Sequence, residues 1–183
     1  EEGRNTSFSN KEIKHLVRRF MPELFDSEFD QMKRIAGELA SNLVERLARD
    51  CQTTSDTETL TAQLQQFVHD YSFIQYVYVT DVKGHSTAIA ISDPGDQKGY
   101  KAFPIGFDYS NREWFQQPMR TGKLHIMNVH QSQVTGQLII TVSTVITDAN
   151  DEIIGVLGAD IQLEEIIRRA EALEAEEHIG EEE

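Results

Sequence analysis

Asp108-Tyr109-Ser110-Asn111-Arg112-Glu113-Trp114-Phe115 is the stretch on which the reading of this chain turns. It carries the only tryptophan, Trp114, two residues after Arg112. The guanidinium of an arginine presents a planar fork of donors that matches a carboxylate or a phosphate. An indole supplies a broad apolar wall and one N–H donor. Ser110 and Glu113 have capping-box spacing, so a short helix is predicted to open at Ser110 and to end at Gly122. A loop rich in Gly, Pro and aromatics, Gly95 to Phe107, precedes it, and apolar strands ending at Gly158-Ala159-Asp160 follow. That layout is the mouth of a small-ligand site.

Outward from this stretch the hydrophobic period is two. Phe73 to Thr80 and His85 to Ile91 read as a hairpin closed by the turn Asp81–Gly84, and Asp93-Pro94-Gly95 breaks it. Lys123 to His130, Gln137 to Thr147 and Glu152 to Ile161 read as three further strands, joined by the turn formers of 132–136 and 148–151. Upstream the period is helical. Ser9 and Glu12 cap a helix that Pro22 ends, Asp26 opens a longer one, and Ser55 with Glu58 opens a third that runs to about Asp70. A closing helix begins near Leu163, and the tail from Glu174 is acidic. Short strand connections imply an antiparallel sheet of five strands with helices on one side, an α+β fold. The expected organisation is a helical extension over 1–25, one domain over 26–170, and an acidic tail over 171–183.

The second helix repeats Phe29, Met32, Ala36, Leu39, Leu43 and Leu47, a spacing close to a coiled-coil seam. Two readings follow: a helix packed on its own domain, or a homodimer through residues 26–50.

Composition excludes several classes. An apolar share of 39% is enough for one core. A net charge of -14 disfavours nucleic acid and anionic membrane surfaces. The single Cys51 forbids an internal disulfide, no apolar run is long enough to span a bilayer, and no run reads as a signal peptide. His125 and His130, placed five apart on one strand, would face opposite ways, and no other spacing suggests a metal. No cofactor motif, phosphate loop or nucleophile elbow is present, so neither a cofactor nor an enzymatic role is expected.

The candidate ligand-binding residues are Arg112, Trp114, Asp160, Tyr76, Tyr78, Phe107, Asp108, Tyr100, Lys101 and His130. Tyr76 and Tyr78 share one strand face, the pocket floor or the solvent side. Lys98, Tyr100 and Lys101 lie in the covering loop. Asp160 sits on an apolar strand, where a buried acid needs a partner. It either meets a pocket or caps the next helix. Asp108 either joins the site or orders its own loop.

In this order these residues resemble the Cache superfamily, the PAS-like or PDC sensor domains, over roughly residues 26–169. The resemblance rests on the long helix before the sheet and on the first core strand with its Asp-x-x-Gly turn. It rests also on the 108–115 stretch with Gly122, similar to an Asp-x-Arg-x-Arg-x-Trp-Tyr…Gly signature, and on the closing strands 138–160. Ser110 stands at the signature's first arginine, Phe115 at its tyrosine, and Phe107 where the amino-acid-binding branch carries a tyrosine. The resemblance implies a single-module bacterial sensor for a small anionic metabolite, such as a carboxylate or an amino acid, with occupancy relayed through the terminal helices. It implies Arg112 and Trp114 as carboxylate partners and Asp160 as the amine partner. A PAS-like dimerisation module without a ligand is the alternative. The resemblance also implies an extracytoplasmic domain, while the capped helix over 9–24 and the acidic tail fit a cytoplasmic relative, so location stays open.

Overall fold

The computed structural model describes residues 29–52, 56–93, 95–166 and 168. The extension over 1–25, the caps at Ser9, Asp26 and Ser55, and the tail over 171–183 lie outside the described residues. Two long helices come first, α1 (Phe29–Cys51) and α2 (Thr57–Asp70). The cap of α2 is Asp56, whose carboxylate accepts from Thr59 N at 2.8 Å. Strands β1 (Ile74–Asp81) and β2 (Ser86–Ile91) then form the expected hairpin. A short helix α3 (Gln97–Ala102) lies within the loop over 95–107, and α4 (Glu113–Thr121) follows it. Next come β3 (His125–Ile126), β4 (His130–Gln131), β5 (Leu138–Thr147) and β6 (Ile153–Gln162), after which residues 163–166 are helical.

The sheet is antiparallel throughout, in the order β2-β1-β6-β5-β3, with β4 also on β5. The first and last long strands are therefore neighbours at its centre, in the register Tyr78↔Gly158 and Tyr76↔Asp160. Lys123 to His130, expected as one strand, is two short ones. The ring of His130 bonds the carbonyl of its own Asn128, and the ladder lapses between them. His125 and His130 thus sit on different strands. Among the described residues no cluster has metal-binding character.

Helices cover both faces of the sheet rather than one, because the central strands bury both of their own faces. On one face Val77, Val79, Ala88, Ala90, Ile140, Val142, Leu157, Ala159 and Ile161 pack against α1 and α2. On the other face Tyr76, Tyr78, Ile89, Ile91 and Val156 pack against Tyr109, Trp114 and Phe115. Helix α1 turns Ala36, Ala40, Val44, Leu47, Ala48 and Cys51 to the core. The expected seam therefore splits. Ala36 and Leu47 are buried, Leu43 is half-buried, and Leu39 stays 45% exposed. The side chains of Phe29 and Met32 lie outside those described. No described helix is long and apolar enough to cross a membrane.

Gly158 is required by a close approach. A Cβ there would run into the ring of Tyr78, lying 3.0 Å from Cδ2 and from Cζ. Gly158→Ala is expected to destabilise the fold by about 1–3 kcal/mol, the range for overpacking a filled core, as read by denaturant unfolding. An unchanged midpoint would show that the Tyr78 ring moves without cost.

Candidate functional site

Helix α4 takes its cap two residues later than its sequence suggests. Ser110 does not cap it. The backbone of Ser110 is held instead by Asp108, whose Oδ1 accepts from Ser110 N at 2.8 Å. Arg112 occupies the N-cap position in an extended conformation, with no side-chain cap bond. Its carbonyl accepts from Phe115 N and Gln116 N, which leaves the guanidinium free of the helix. Gly122 ends α4 in the left-handed region at φ 66°, as expected.

A cavity of about 860 Å³ opens between this segment, α3 and the sheet, within the usual range for small-molecule pockets. Of the candidate residues, Tyr78, Lys101, Phe107, Arg112, Trp114, His130 and Asp160 line it, as does Lys98. Tyr76, Tyr100 and Asp108 do not. The Tyr76 ring is buried beneath Phe103, and its hydroxyl donates to Asp96 at 2.8 Å. Asp96 in turn caps α3 through Gly99 N, so Tyr76 anchors the covering helix from below. Asp108 orders its loop, and its backbone bridges to His85.

The walls are aromatic. Tyr78 stacks on Phe103 at 5.5 Å and 14° and meets Trp114 edge-on at 4.7 Å. Tyr109 lies against Trp114 at 5.5 Å and against Phe107 at 4.8 Å. Trp114 is buried, and no described residue accepts from its indole N–H.

The floor is polar at one point. Asp160 is buried, and its Oδ1 accepts from Tyr78 OH at 2.9 Å and from Thr141 Oγ1 at 2.7 Å. No described residue gives Oδ2 a hydrogen bond. Burial pushes the Asp160 carboxyl above the usual range, while the two hydroxyls and the nearby His130 pull against that rise. His130 lies across Thr141, its Nε2 at 3.5 Å from Thr141 Oγ1. A carbonyl only accepts, so the bond of His130 Nδ1 to Asn128 O at 2.9 Å places a proton on Nδ1.

At the mouth the balance is positive. Arg112, Lys98 and Lys101 are exposed there, and Arg112 and Lys101 have no hydrogen-bond or ion-pair partner among the described residues. Glu113 is engaged outward by His125 at 2.9 Å. The arrangement therefore offers a free guanidinium, an aromatic box and a buried carboxylate with one open oxygen.

Phe103, Tyr109, Thr141 and the turn carrying Ser132, Gln133 and Val134 also line the cavity without having been singled out. Tyr109 lies inside the 108–115 stretch itself, and Thr141 shares a face of β5 with Ile139, a period-two signal that was readable. The hairpin turn over 132–136 gave no such sign.

Residues 57–168 match the family described as methyl-accepting chemotaxis protein-like, first PDC sensor domain. The chain belongs to this family of PDC sensor domains. The resemblance read over roughly residues 26–169 is thereby established, and the α+β architecture with it.

Among relatives of this PDC sensor domain, a protein of Syntrophus aciditrophicus named Citrate (Re)-synthase is 38% identical over 172 residues, 93% of this chain and 27% of that protein. The ligand-binding domain of the amino acid chemoreceptor PctC of Pseudomonas aeruginosa PAO1, solved with GABA, superposes with a TM-score of 0.56 at 25% identity, covering 73% of this chain and 60% of that one. The domain of the chemoreceptor Tlp3 of Campylobacter jejuni, solved with L-valine, gives 0.55 at 17% identity over 74% and 59%. The chain thus spans about a quarter of that curated relative and under two thirds of these structures.

Proposed function

We propose that this PDC sensor domain binds a small carboxylate-bearing metabolite in the cavity under α3 and relays its occupancy through α1. The observation that carries this reading is the pairing, in one aromatic pocket, of the free guanidinium of Arg112 with the open Oδ2 of buried Asp160. The guanidinium takes the acid group, and Oδ2 takes a donor such as an ammonium or a hydroxyl. Amino-acid ligands of the structural relatives, GABA and L-valine, fit the same pairing.

The relay has a physical route. Thr141 and Asp160 face the cavity, while their strand neighbours Ile140, Val142, Ala159 and Ile161 face the helical core on which α1 packs. A ligand that binds one setting of β5 and β6 more tightly shifts α1 by that difference in affinity alone. A second copy packing along α1 would use Leu39, exposed beside the buried face.

We read the domain as non-catalytic. Ser132 Oγ accepts from Val134 N and Thr135 N at 3.3 Å each, and no described residue stands as a base on its proton, so it is not an activated nucleophile. The match to Citrate (Re)-synthase covers too little of that protein to carry its activity here. Turnover of a carboxylate or ester by the purified chain would overturn this point.

A thermal-shift screen of the purified chain against carboxylates, amino acids and amines tests the proposal. A ligand at 100 times its Kd is expected to add about 2.7 kcal/mol to stability. A panel without any shift, confirmed by calorimetric titration, would leave the ligand-free dimerisation module as the reading.

A further inference from the structure

The sign of charge at the cavity runs against that of the chain. Three of the 17 Lys and Arg side chains line it, against two of the 31 Asp and Glu. One of those two acids, Asp160, lies on the floor with both hydroxyls on one oxygen, and the other, Glu113, is turned to His125. The three cations come from two separate elements. Arg112 stands at the start of α4, while Lys98 and Lys101 stand one turn apart on α3, hence on the same side of that helix. Lys98 has Asp96 as an acidic neighbour, whereas Lys101 forms no ion pair among the described residues. Helix α3 is held in place from beneath by Tyr76 on Asp96, so the lysines are carried on an anchored element. A single carboxylate engages Arg112 and leaves the α3 pair unused.

Resting on the function proposed above, we infer that the ligand is a small dicarboxylate. One acid group is held by the fork of Arg112, and the second lies at the mouth beneath Lys101 and Lys98. Asp160 Oδ2 then takes the donor between them, an ammonium in an amino dicarboxylate or a hydroxyl in a hydroxy dicarboxylate. Lys98 and Lys101 are specificity-determining in this scheme. They do not hold the fold, since both are exposed.

The experiment compares each diacid with its own monoamide, which keeps shape and removes one charge. L-glutamate is titrated against L-glutamine, L-aspartate against L-asparagine, and succinate and malate against their monoamides. GABA and L-valine serve as monocarboxylate controls. Titrations are run on the parent chain and on the Lys98→Gln/Lys101→Gln double variant. In at least one pair the parent is expected to favour the diacid tenfold or more, with the preference weakening as salt is raised. In the double variant that ratio is expected to fall to about one, with binding itself retained. The amino and non-amino pairs report which donor Asp160 accepts. Monoamides that bind as tightly as their diacids would overturn the inference, and so would a preference that survives loss of both lysines. If GABA or L-valine binds through Arg112 and no diacid is favoured, the carboxylate sensor stands and this inference falls. If nothing binds, both fall.

Discussion

Asp160→Asn is expected to melt a few degrees above the parent chain at neutral pH and to lose about a hundredfold in ligand affinity. The two effects have one cause. Asparagine keeps an Oδ1 acceptor for Tyr78 and Thr141 in the same shape, so the hydrogen bonds at 2.9 and 2.7 Å survive. What disappears is a negative charge in a site without a described cation bonded to it. Taking a charge out of water is costly, and here the carboxyl responds by holding its proton more tightly. About 1 kcal/mol recovered moves the midpoint of a domain of this size by about 2–4 °C. The ligand's donor loses the anion it needs, a charge-assisted hydrogen bond of about 1.5–3 kcal/mol. A variant less stable than the parent at pH 7 would show that the ionised Asp160 supports the fold rather than straining it.

The pH dependence fixes the sign. The folded chain binds a proton at Asp160 more tightly than the unfolded chain does. That contribution is fully present below the unfolded carboxylate pKa and is lost as pH rises through the raised folded value. The gap between variant and parent must therefore widen as pH rises through that window. Comparing the two at each pH matters, because Asp56, Asp81, Asp96, Asp108 and Asp148 all have lowered values and lose their stabilising bonds as pH falls. Only the difference isolates Asp160. Affinity for a ligand with a cationic donor should rise over the same window, since that donor requires the ionised form. Calorimetric titrations at several pH values check it.

The sheet was legible because short runs rich in β-branched and aromatic residues are separated by clusters of turn formers. Its second covered face was not. Burial of both faces makes β1 and β6 read as continuous apolar runs, which carry no information about what lies on each side. The seam on α1 misled for a related reason. Alanine is small enough that Ala36, Ala40 and Ala48 mark the buried face only once the sheet is present, whereas Leu39 looks like core by type and stands in solvent. Among the cavity-lining residues, Arg112, Trp114 and Asp160 stood out in the sequence because each is chemically unusual for its local pattern. Tyr76 and Tyr78 look equivalent along the strand. The difference between them, a pin for α3 and a floor for the cavity, arises from Asp96 and Asp160, which reach them from 20 and 82 residues away. Thr141 belongs to the same class: a hydroxyl whose role depends on the register Thr141↔Asp160.

Arg112→Ala is expected to weaken carboxylate binding by about a hundredfold while leaving the unliganded domain as stable as the parent. The second half follows from the geometry of the cap. Arg112 starts α4 with its backbone alone, its side chain is exposed, and no described residue pairs with its guanidinium. Exposed substitutions of that kind usually change stability by about 0.5 kcal/mol or less. The first half follows from what the ligand loses, a two-pronged charge-assisted contact worth about 2–3 kcal/mol, and each 1.4 kcal/mol is about tenfold in Kd. Arg112→Lys separates charge from fork. A point charge on a flexible stem keeps the attraction and drops one of the two parallel bonds, so it should fall between the two, about tenfold weaker than the parent. Had the residue a structural role, the melting temperature of the free domain would drop with both substitutions and the lysine variant would offer no partial rescue of affinity. An Arg112→Ala chain that binds the parent's ligand within twofold would remove the guanidinium from the site and, with it, the pairing with Asp160 on which the carboxylate reading stands.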